Sequence, residues 1–191
     1  MKQNKRVAVT GGIGSGKSSL LAIFREMGYT VVSCDEVSAR LWEDGAYRKE
    51  LAQLFPDCVL NGQLNKSVLS ALVFADDLAR EKLNAFSHPY ILRRVLENMK
   101  DGLCFAEVPL LFEGGYEGLF DAVIAVRRKR ETRIAAVRTR SGLSREEVEQ
   151  RMRCQFDESK LEEKNCMIVQ NDGNLHDLHD AAKEIIKKLD F

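Results

Sequence analysis

A glycine-rich loop is the feature of this sequence that most limits how the chain can fold. Residues 11–18 read GGIGSGKS, with a short apolar run before them and apolar residues at helical spacing after them. Glycine lets the backbone curve closely around an anion, and the following helix adds unpaired N-terminal amides. In this motif Lys17 reaches the terminal phosphates, and the Ser18 hydroxyl holds Mg²⁺. An ordinary turn before a helix would not require the Lys-Ser pair, so the loop predicts binding of a nucleoside triphosphate.

The loop also supplies a set of candidate phosphate contacts. Their shared property is a main-chain amide in the loop or in the first turn of the following helix. They are Gly12, Ile13, Gly14, Ser15, Gly16, Lys17, Ser18 and Ser19.

Charge and composition exclude several classes of protein. The 29 Lys and Arg residues balance the 29 Asp and Glu residues, which argues against general nucleic-acid binding. No stretch approaches the length of a membrane span. The five cysteines include no C-x-x-C pair, which favours reduced thiols and a cytoplasmic protein. The sequence indicates no particular oligomeric state.

Short apolar runs predict an α/β fold with a central parallel sheet of about five strands. The run before the loop and the run after the first helix form a βαβ unit, which makes these strands parallel. Ligands in such sheets bind beyond the carboxyl ends of the strands. The predicted strands are residues 7–10, 29–33, 103–108, 122–126 and 166–169.

Two carboxylates follow predicted strands at this edge. Asp35, after the second strand, is a candidate base for an attacking hydroxyl or a group that orients Mg²⁺ through water. Asp is also a favoured N-cap, and capping of the helix that starts near Glu36 is an equally good interpretation. Glu107, at the end of the third strand, is a candidate Mg²⁺ ligand or a solvated edge carboxylate.

Two helical regions separate the strands. Residues 45–102 show helical apolar spacing without a strong strand signal, and His88-Pro89 predicts a break there. His88 either contacts the acceptor substrate or packs at the break. Residues 127–160 are rich in arginine and contain a Gly142 turn, which predicts a helical lid that closes over polyphosphate. Within it, Arg138 and Arg140 are favoured because they lie nearest the turn.

The loop after the last strand carries a candidate base-reading residue. Asn171 has amide donors and an acceptor that suit adenine. It is also an ordinary turn residue before Asp172-Gly173. Both interpretations stay open at this point.

Taken in order, these motifs resemble those of the bacterial dephospho-CoA kinases. The resemblance rests on TGGIGSGKS from Thr10, VVSCDEVSAR around Asp35, LNAFSHPYI around His88, VPLLFE from Val108 and NDG from Asn171. It implies a P-loop kinase fold of three layers, with a core of residues 5–35, 103–126 and 165–191. It also implies a helical CoA-binding insertion at 45–102 and a lid at 127–160, all in one chain of residues 1–191.

The same resemblance implies an activity and roles for residues. ATP, with Mg²⁺, would phosphorylate the ribose 3′-hydroxyl of dephospho-CoA. Asp35 would be the base, Lys17 and Arg140 would steady the phosphoryl group, and Asn171 would lie near the adenine. The substrate-side residues would be Asp35, His88, Pro109 and Leu110.

The sequence departs from the family pattern at three positions. Ser33 stands where relatives often have an aspartate, Glu107 replaces a more usual aspartate, and Ala136 replaces a lid arginine of some relatives. Arg133 or Arg138 would then substitute for the missing lid arginine. The main alternative is another small-molecule kinase, such as a nucleoside monophosphate kinase. A GTPase switch is disfavoured because the run from Asn65 to Val68 lacks the aspartate of the guanine-reading loop.

Overall fold

A parallel β-sheet organises the fold of this protein. The structure is a computed structural model that describes residues 4–189, and the statements below concern those residues. The sheet has five strands in the order β2-β5-β1-β6-β7. The predicted α/β fold with a central parallel sheet is confirmed. The strands are β1 (Lys5–Thr10), β2 (Thr30–Ser33), β5 (Leu103–Glu107), β6 (Ala122–Arg127) and β7 (Met167–Gln170), and a separate hairpin contains β3 (Val59–Leu60) and β4 (Gln63–Leu64).

Helices connect the strands. The first of them, α1, begins directly after the glycine-rich loop, as the sequence predicts, and Gly28 follows its end with a φ of 88°. The helices are α1 (Lys17–Glu26), α2 (Cys34–Leu41), α3 (Gly45–Leu54), α4 (Lys66–Ala75), α5 (Asp77–Asn98), α6 (Arg130–Ser141), α7 (Arg145–Arg153) and α8 (Leu175–Leu189). No helix in the described range is long and apolar enough to cross a bilayer.

Backbone contacts divide the chain into two compact units. The first combines the residues up to Val32 with those from Met99 onward, and the second spans Ser33–Asn98. In the first unit, α1 and α8 share one hydrophobic core with the strands. The rings of Phe24 in α1 and Phe105 in β5 stack with centroids 3.9 Å apart. Burial of these large rings holds α1, and therefore the loop before it, firmly on the sheet.

The α6–α7 hairpin of the first unit has the helices and the Gly142 turn that the sequence predicts. Gly142 ends α6 with a φ of 68°, a conformation that suits glycine. Ser144 and Glu147 then form a capping box at the start of α7. Arg145 joins the two helices through bonds of 2.9 and 2.7 Å to the carboxylate of Glu131. The ion pair therefore links the first turn of α6 to the first turn of α7.

The second unit has its own core and overturns one prediction. A helix break at His88-Pro89 was predicted, yet α5 continues through Pro89 from Asp77 to Asn98. Proline removes one backbone hydrogen bond, and packing around it can offset that loss. Here the buried hydroxyls of Ser87 and Tyr47 lie 2.9 Å apart just before the proline. Leu92 and Val95 are buried just after it.

A small hairpin in the second unit is a further correction. Residues 45–102 carry no strong strand signal in the sequence, but β3 and β4 pair there in antiparallel fashion. Asn61 and Gly62 connect them with φ angles of 51° and 75°. An Asn-Gly pair with two positive φ angles is the preferred two-residue hairpin turn. That pair was the signal that could have revealed these short strands.

Candidate active site

The glycine-rich loop has a backbone path that few other residues could follow. Gly11, Gly14 and Gly16 have φ angles of 141°, 76° and 96°. A methyl group on Gly11 would lie 2.3 Å from the carbonyl oxygen of Val126 in β6, well inside contact distance. The loop is therefore held against the sheet in a conformation that glycine permits.

The N-terminus of α1 is prepared for an anion. Gly16 is the N-cap, and no side chain of residues 4–189 caps this end of the helix. The first amides of a helix have no acceptor within the helix, and they bind phosphate readily. The Ser15 hydroxyl is buried without a hydrogen-bond partner in the part of the chain that the structure describes. These features fit the polyphosphate of a nucleotide.

Lys17 folds back over the loop. Its Nζ donates to the carbonyl oxygens of Gly11 and Gly12 at 2.7 and 3.2 Å. Burial lowers the pKa of Lys17; the Glu107 and Glu158 carboxylates raise it, and the Arg133 and Arg140 charges lower it. These charges therefore lie within electrostatic reach of the loop lysine.

Arg133, a candidate substitute for the missing lid arginine, lies against the loop. Arg133 in α6 is only 5% exposed, and its Nε donates to the carbonyl oxygen of Ile13 at 2.9 Å. Its Nη1 bonds Glu158 Oε1 at 2.5 Å. Arg133 and Val137 lie one turn apart on the buried face of α6. This spacing was the signal, because residues one turn apart share a helix face.

The two favoured lid arginines differ from Arg133. Arg138 and Arg140, in the last turn of α6, are both exposed. The Arg140 charge lowers the pKa of Lys17, although burial and the charges of Glu107, Arg133 and Glu158 affect it more. The Arg140 charge therefore lies within electrostatic reach of the loop lysine.

Asn171 supports the loop from the side of β7. The residue is 9% exposed, and its Nδ2 donates to the carbonyl oxygen of Ser15 at 2.8 Å. Its backbone N–H donates to the carbonyl oxygen of Arg127 at 2.8 Å. At least one donor of the amide predicted to lie near adenine is thus committed to the loop.

The predicted metal ligands lie at the ends of two elements. Ser18 is exposed in the first turn of α1, and Glu107 is partly buried at the end of β5. Among residues 4–189 no group of three or more His, Cys, Asp or Glu side chains could hold a metal ion. A hydroxyl and a carboxylate are oxygen ligands of the kind that Mg²⁺ prefers.

The two predicted substrate residues of the first unit, Pro109 and Leu110, differ in their surroundings. Pro109 lines a small pocket beside the loop together with Thr10, Gly11 and Gly12. Leu110, the next residue, is 37% exposed and does not line that pocket.

Asp35 and His88 belong to the second unit. Asp35 is exposed in the first turn of α2, and the N-cap of that helix is Ser33, whose hydroxyl accepts the Glu36 N–H at 3.4 Å. The interpretation of Asp35 as the N-cap of α2 is therefore wrong, because Ser33 takes that position. His88 is partly buried in α5, and burial lowers its pKa.

Comparison with known proteins identifies the family of this site. The family model described as Dephospho-CoA kinase matches residues 5–177. The chain belongs to the dephospho-CoA kinase family. The dephospho-CoA kinase of Thermus thermophilus is 39% identical over 186 residues, which cover 96% of this chain and 91% of that relative.

Solved structures agree with the assignment to the dephospho-CoA kinase family. A crystal structure from Thermus thermophilus is 38% identical, with a TM-score of 0.83 over 98% of this chain and 99% of that one. A dephospho-CoA kinase from Campylobacter jejuni is 26% identical, with a TM-score of 0.70 over 96% of each chain. The resemblance inferred from the motifs is confirmed, and the chain is a P-loop kinase.

The glycines of the loop lead to a matched pair of predictions. In Gly16→Ala, a methyl group would lie 2.1 Å from Asn171 Nδ2, so the loop must shift. We expect ATP affinity to fall by about tenfold or more, equivalent to ~1.4 kcal/mol. Gly28→Ala is the control: its φ is also positive, at 88°, but among the described residues no atom beyond its chain neighbours lies within 4 Å of the added methyl group.

Both variants therefore carry backbone strain of about 1–2 kcal/mol, and only Gly16→Ala disturbs the phosphate site. Calorimetric titration with ATP separates the two effects, and chemical unfolding measures the shared strain. Equal ATP affinity in Gly16→Ala and Gly28→Ala would contradict the role of the close approach between loop and Asn171.

Proposed function

We propose that this chain transfers the γ-phosphate of ATP to the ribose 3′-hydroxyl of dephospho-CoA and so produces coenzyme A. The observation that carries the proposal is the family match over residues 5–177, which contains the phosphate-binding loop. In the reaction, the ribose oxygen forms a bond to the γ-phosphorus. The bond from that phosphorus to the bridging oxygen breaks, ADP leaves, and the hydroxyl proton passes to a base.

Asp35 is the base that we propose. It lies two residues beyond the end of β2, and β2 and β1 belong to one parallel sheet, so the segments after both strands start at the same sheet edge. Its carboxylate is exposed, and Ser33 rather than Asp35 caps α2. Ser33 replaces the second carboxylate often present in relatives, so this role falls on Asp35 alone.

The loop, Lys17 and the arginines of α6 would bind and neutralise the transferred group. Amides of the loop and of the first turn of α1, through Ser18 and Ser19, suit the phosphate oxygens. Lys17 would exchange its two carbonyl partners for phosphate oxygens. Arg140, whose charge already acts on Lys17, would counter the negative charge that develops during transfer. Arg138, which is exposed, is a second candidate for this role.

Ser18 and Glu107 are the residues that we propose for Mg²⁺. Their oxygens suit this cation. Ser18 belongs to the phosphate-binding loop, and the Glu107 charge acts on the loop residue Lys17. When bound, Mg²⁺ neutralises phosphate charge and helps to orient the γ-phosphate for in-line attack. Glu107 would also favour the charged form of Lys17, because its carboxylate raises the pKa of Lys17, whereas burial lowers it.

The remaining site residues would contact the two substrates. We propose that His88, Pro109 and Leu110 contact the acceptor. The support is best for Pro109, because it lines the pocket beside the loop. For Asn171 we propose support of Ser15 as its first role. Its predicted place near the adenine is compatible with that bond, because the amide has a second N–H and an oxygen.

A panel of acceptors tests the proposed function. With ATP and Mg²⁺, we expect ADP release that depends on dephospho-CoA and is far slower with AMP, CMP or UMP. The nucleoside monophosphates represent the main alternative among small-molecule kinases. Equal turnover with a nucleoside monophosphate and with dephospho-CoA would reject the proposed acceptor.

A further inference from the structure

The Glu158 carboxylate lies where an anion would bind the loop. Its Oε1 accepts the N–H of Gly12 at 3.3 Å and Nη1 of Arg133 at 2.5 Å. Gln155, on the same segment after α7, accepts the N–H of Ile13 with its Oε1 at 2.8 Å. Two amides of the loop and one arginine are thus bonded to the protein's own oxygens.

This arrangement imitates the coordination of a phosphate oxygen. Backbone amides and guanidinium groups are the donors that proteins use for phosphate, and bonds between charged partners are the strong ones. A donor that bonds Glu158 is not free for a nucleotide. The side chains of Arg133 and Glu158 are only 7% and 19% exposed, so solvent screens their interaction weakly.

Arg133 would stay at the loop without Glu158. Its Nε donates to the carbonyl oxygen of Ile13, and its backbone lies in α6 against Gly14. Release of Glu158 would leave a buried guanidinium without its counter-charge, next to the free amide of Gly12. A polyphosphate is the ligand whose charge and oxygens would satisfy that site.

The surroundings of Glu158 are also suited to an anionic ligand. A groove of about 430 Å³ adjoins the pair, and Arg128, Arg130 and Arg153 contribute to its lining, with the acids Glu149 and Asp157. Arg128 Nε is buried and has no hydrogen-bond partner among the described residues. A polyphosphate that displaces Glu158 would therefore find further positive charge nearby.

We propose that Glu158 is an internal competitor of the nucleotide phosphates and sets the affinity of the loop for them. Binding of a polyphosphate breaks the bonds of Glu158 to Gly12 and Arg133, and the phosphate takes over both donors. That the natural polyphosphate is ATP rests on the proposed function. A purely structural pair would instead hold Arg133 in place for the nucleotide, and its loss would weaken binding.

Titration of three full-length proteins with inorganic tripolyphosphate and with MgATP tests this proposal. Glu158→Gln weakens the bonds to Arg133 and Gly12 with minimal change of shape, and we expect both ligands to bind about tenfold more tightly than to the wild type. The control is Glu162→Gln, on the same 3₁₀ helix (Glu158–Glu163), where Glu162 pairs with Arg127 at 2.5 Å. The affinities of Glu162→Gln for tripolyphosphate and for MgATP should equal those of the wild type.

A second variant separates contact from charge. Glu158→Asp keeps the charge but shortens the side chain, so it should also bind tripolyphosphate more tightly, and it serves if Glu158→Gln does not fold. Unchanged or weaker binding by the folded Glu158 variants, or equal tightening in Glu162→Gln, would overturn the proposal. Tripolyphosphate binding does not depend on the acceptor, so failure of dephospho-CoA turnover alone would reject the proposed function and leave this inference standing.

Discussion

Asp35→Asn is expected to lower kcat for dephospho-CoA by about 10²–10⁴-fold, the usual contribution of a general base. Asparagine matches aspartate in size but cannot accept the proton of the attacking hydroxyl. The affinity for ATP should stay near that of the wild type, because the donors that we propose for the phosphates lie in the loop and in α1. Steady-state kinetics and calorimetric titration with ATP measure the two quantities on the same preparation.

Glu36→Gln is the matched control for this substitution. Asp35 and Glu36 are both exposed acids in the first turn of α2, so each variant loses a similar favourable interaction with the helix N-terminus. Turnover should therefore fall in Asp35→Asn and remain near normal in Glu36→Gln. An Asp35→Asn enzyme with near-normal turnover would remove the base assignment.

Lys17→Met should abolish most of the activity and weaken ATP binding as well. Removal of one positioned donor from a site of developing charge costs about 10²–10³ in kcat. Methionine keeps a similar length but has no charge. Because burial lowers the pKa of Lys17, folding works against its charged form, and the variant should be no less stable to unfolding than the wild type.

Lys5→Met controls for the loss of a lysine in the same unit. Lys5 also donates to a backbone carbonyl, that of Leu189 at 3.0 Å, but it lies at the start of β1 away from the loop. Its turnover should match the wild type. Retention of normal ATP affinity by folded Lys17→Met would contradict the assignment of Lys17 to the phosphates.

Features with a local cause could be predicted from the sequence. The loop, α1 and Gly28 form one continuous segment whose spacing fixes their structure, and the capping box at Ser144 depends on only four residues. The buried strands were recognisable because parallel strands are apolar on both faces. The Asn61-Gly62 turn was equally local, but its two-residue strands were too short for a periodic signal.

Features with a distant cause could not be predicted in this way. Continuation of α5 through Pro89 depends on packing that includes Tyr47, far away in the sequence. Glu158 is separated from Gly12 by 146 positions, and neither residue's neighbourhood indicates the contact. Arg133 is an intermediate case, since the helical spacing placed it on the apolar face but did not reveal what it would bind there.

Phosphorus NMR of the reaction products tests the central claim most directly. With ATP, Mg²⁺ and dephospho-CoA, we predict that the γ-phosphate signal is replaced by a phosphomonoester coupled to the ribose 3′ proton, in an amount equal to the ADP formed. ADP accompanied only by inorganic phosphate, or a new phosphate at another position of the acceptor, would contradict the account.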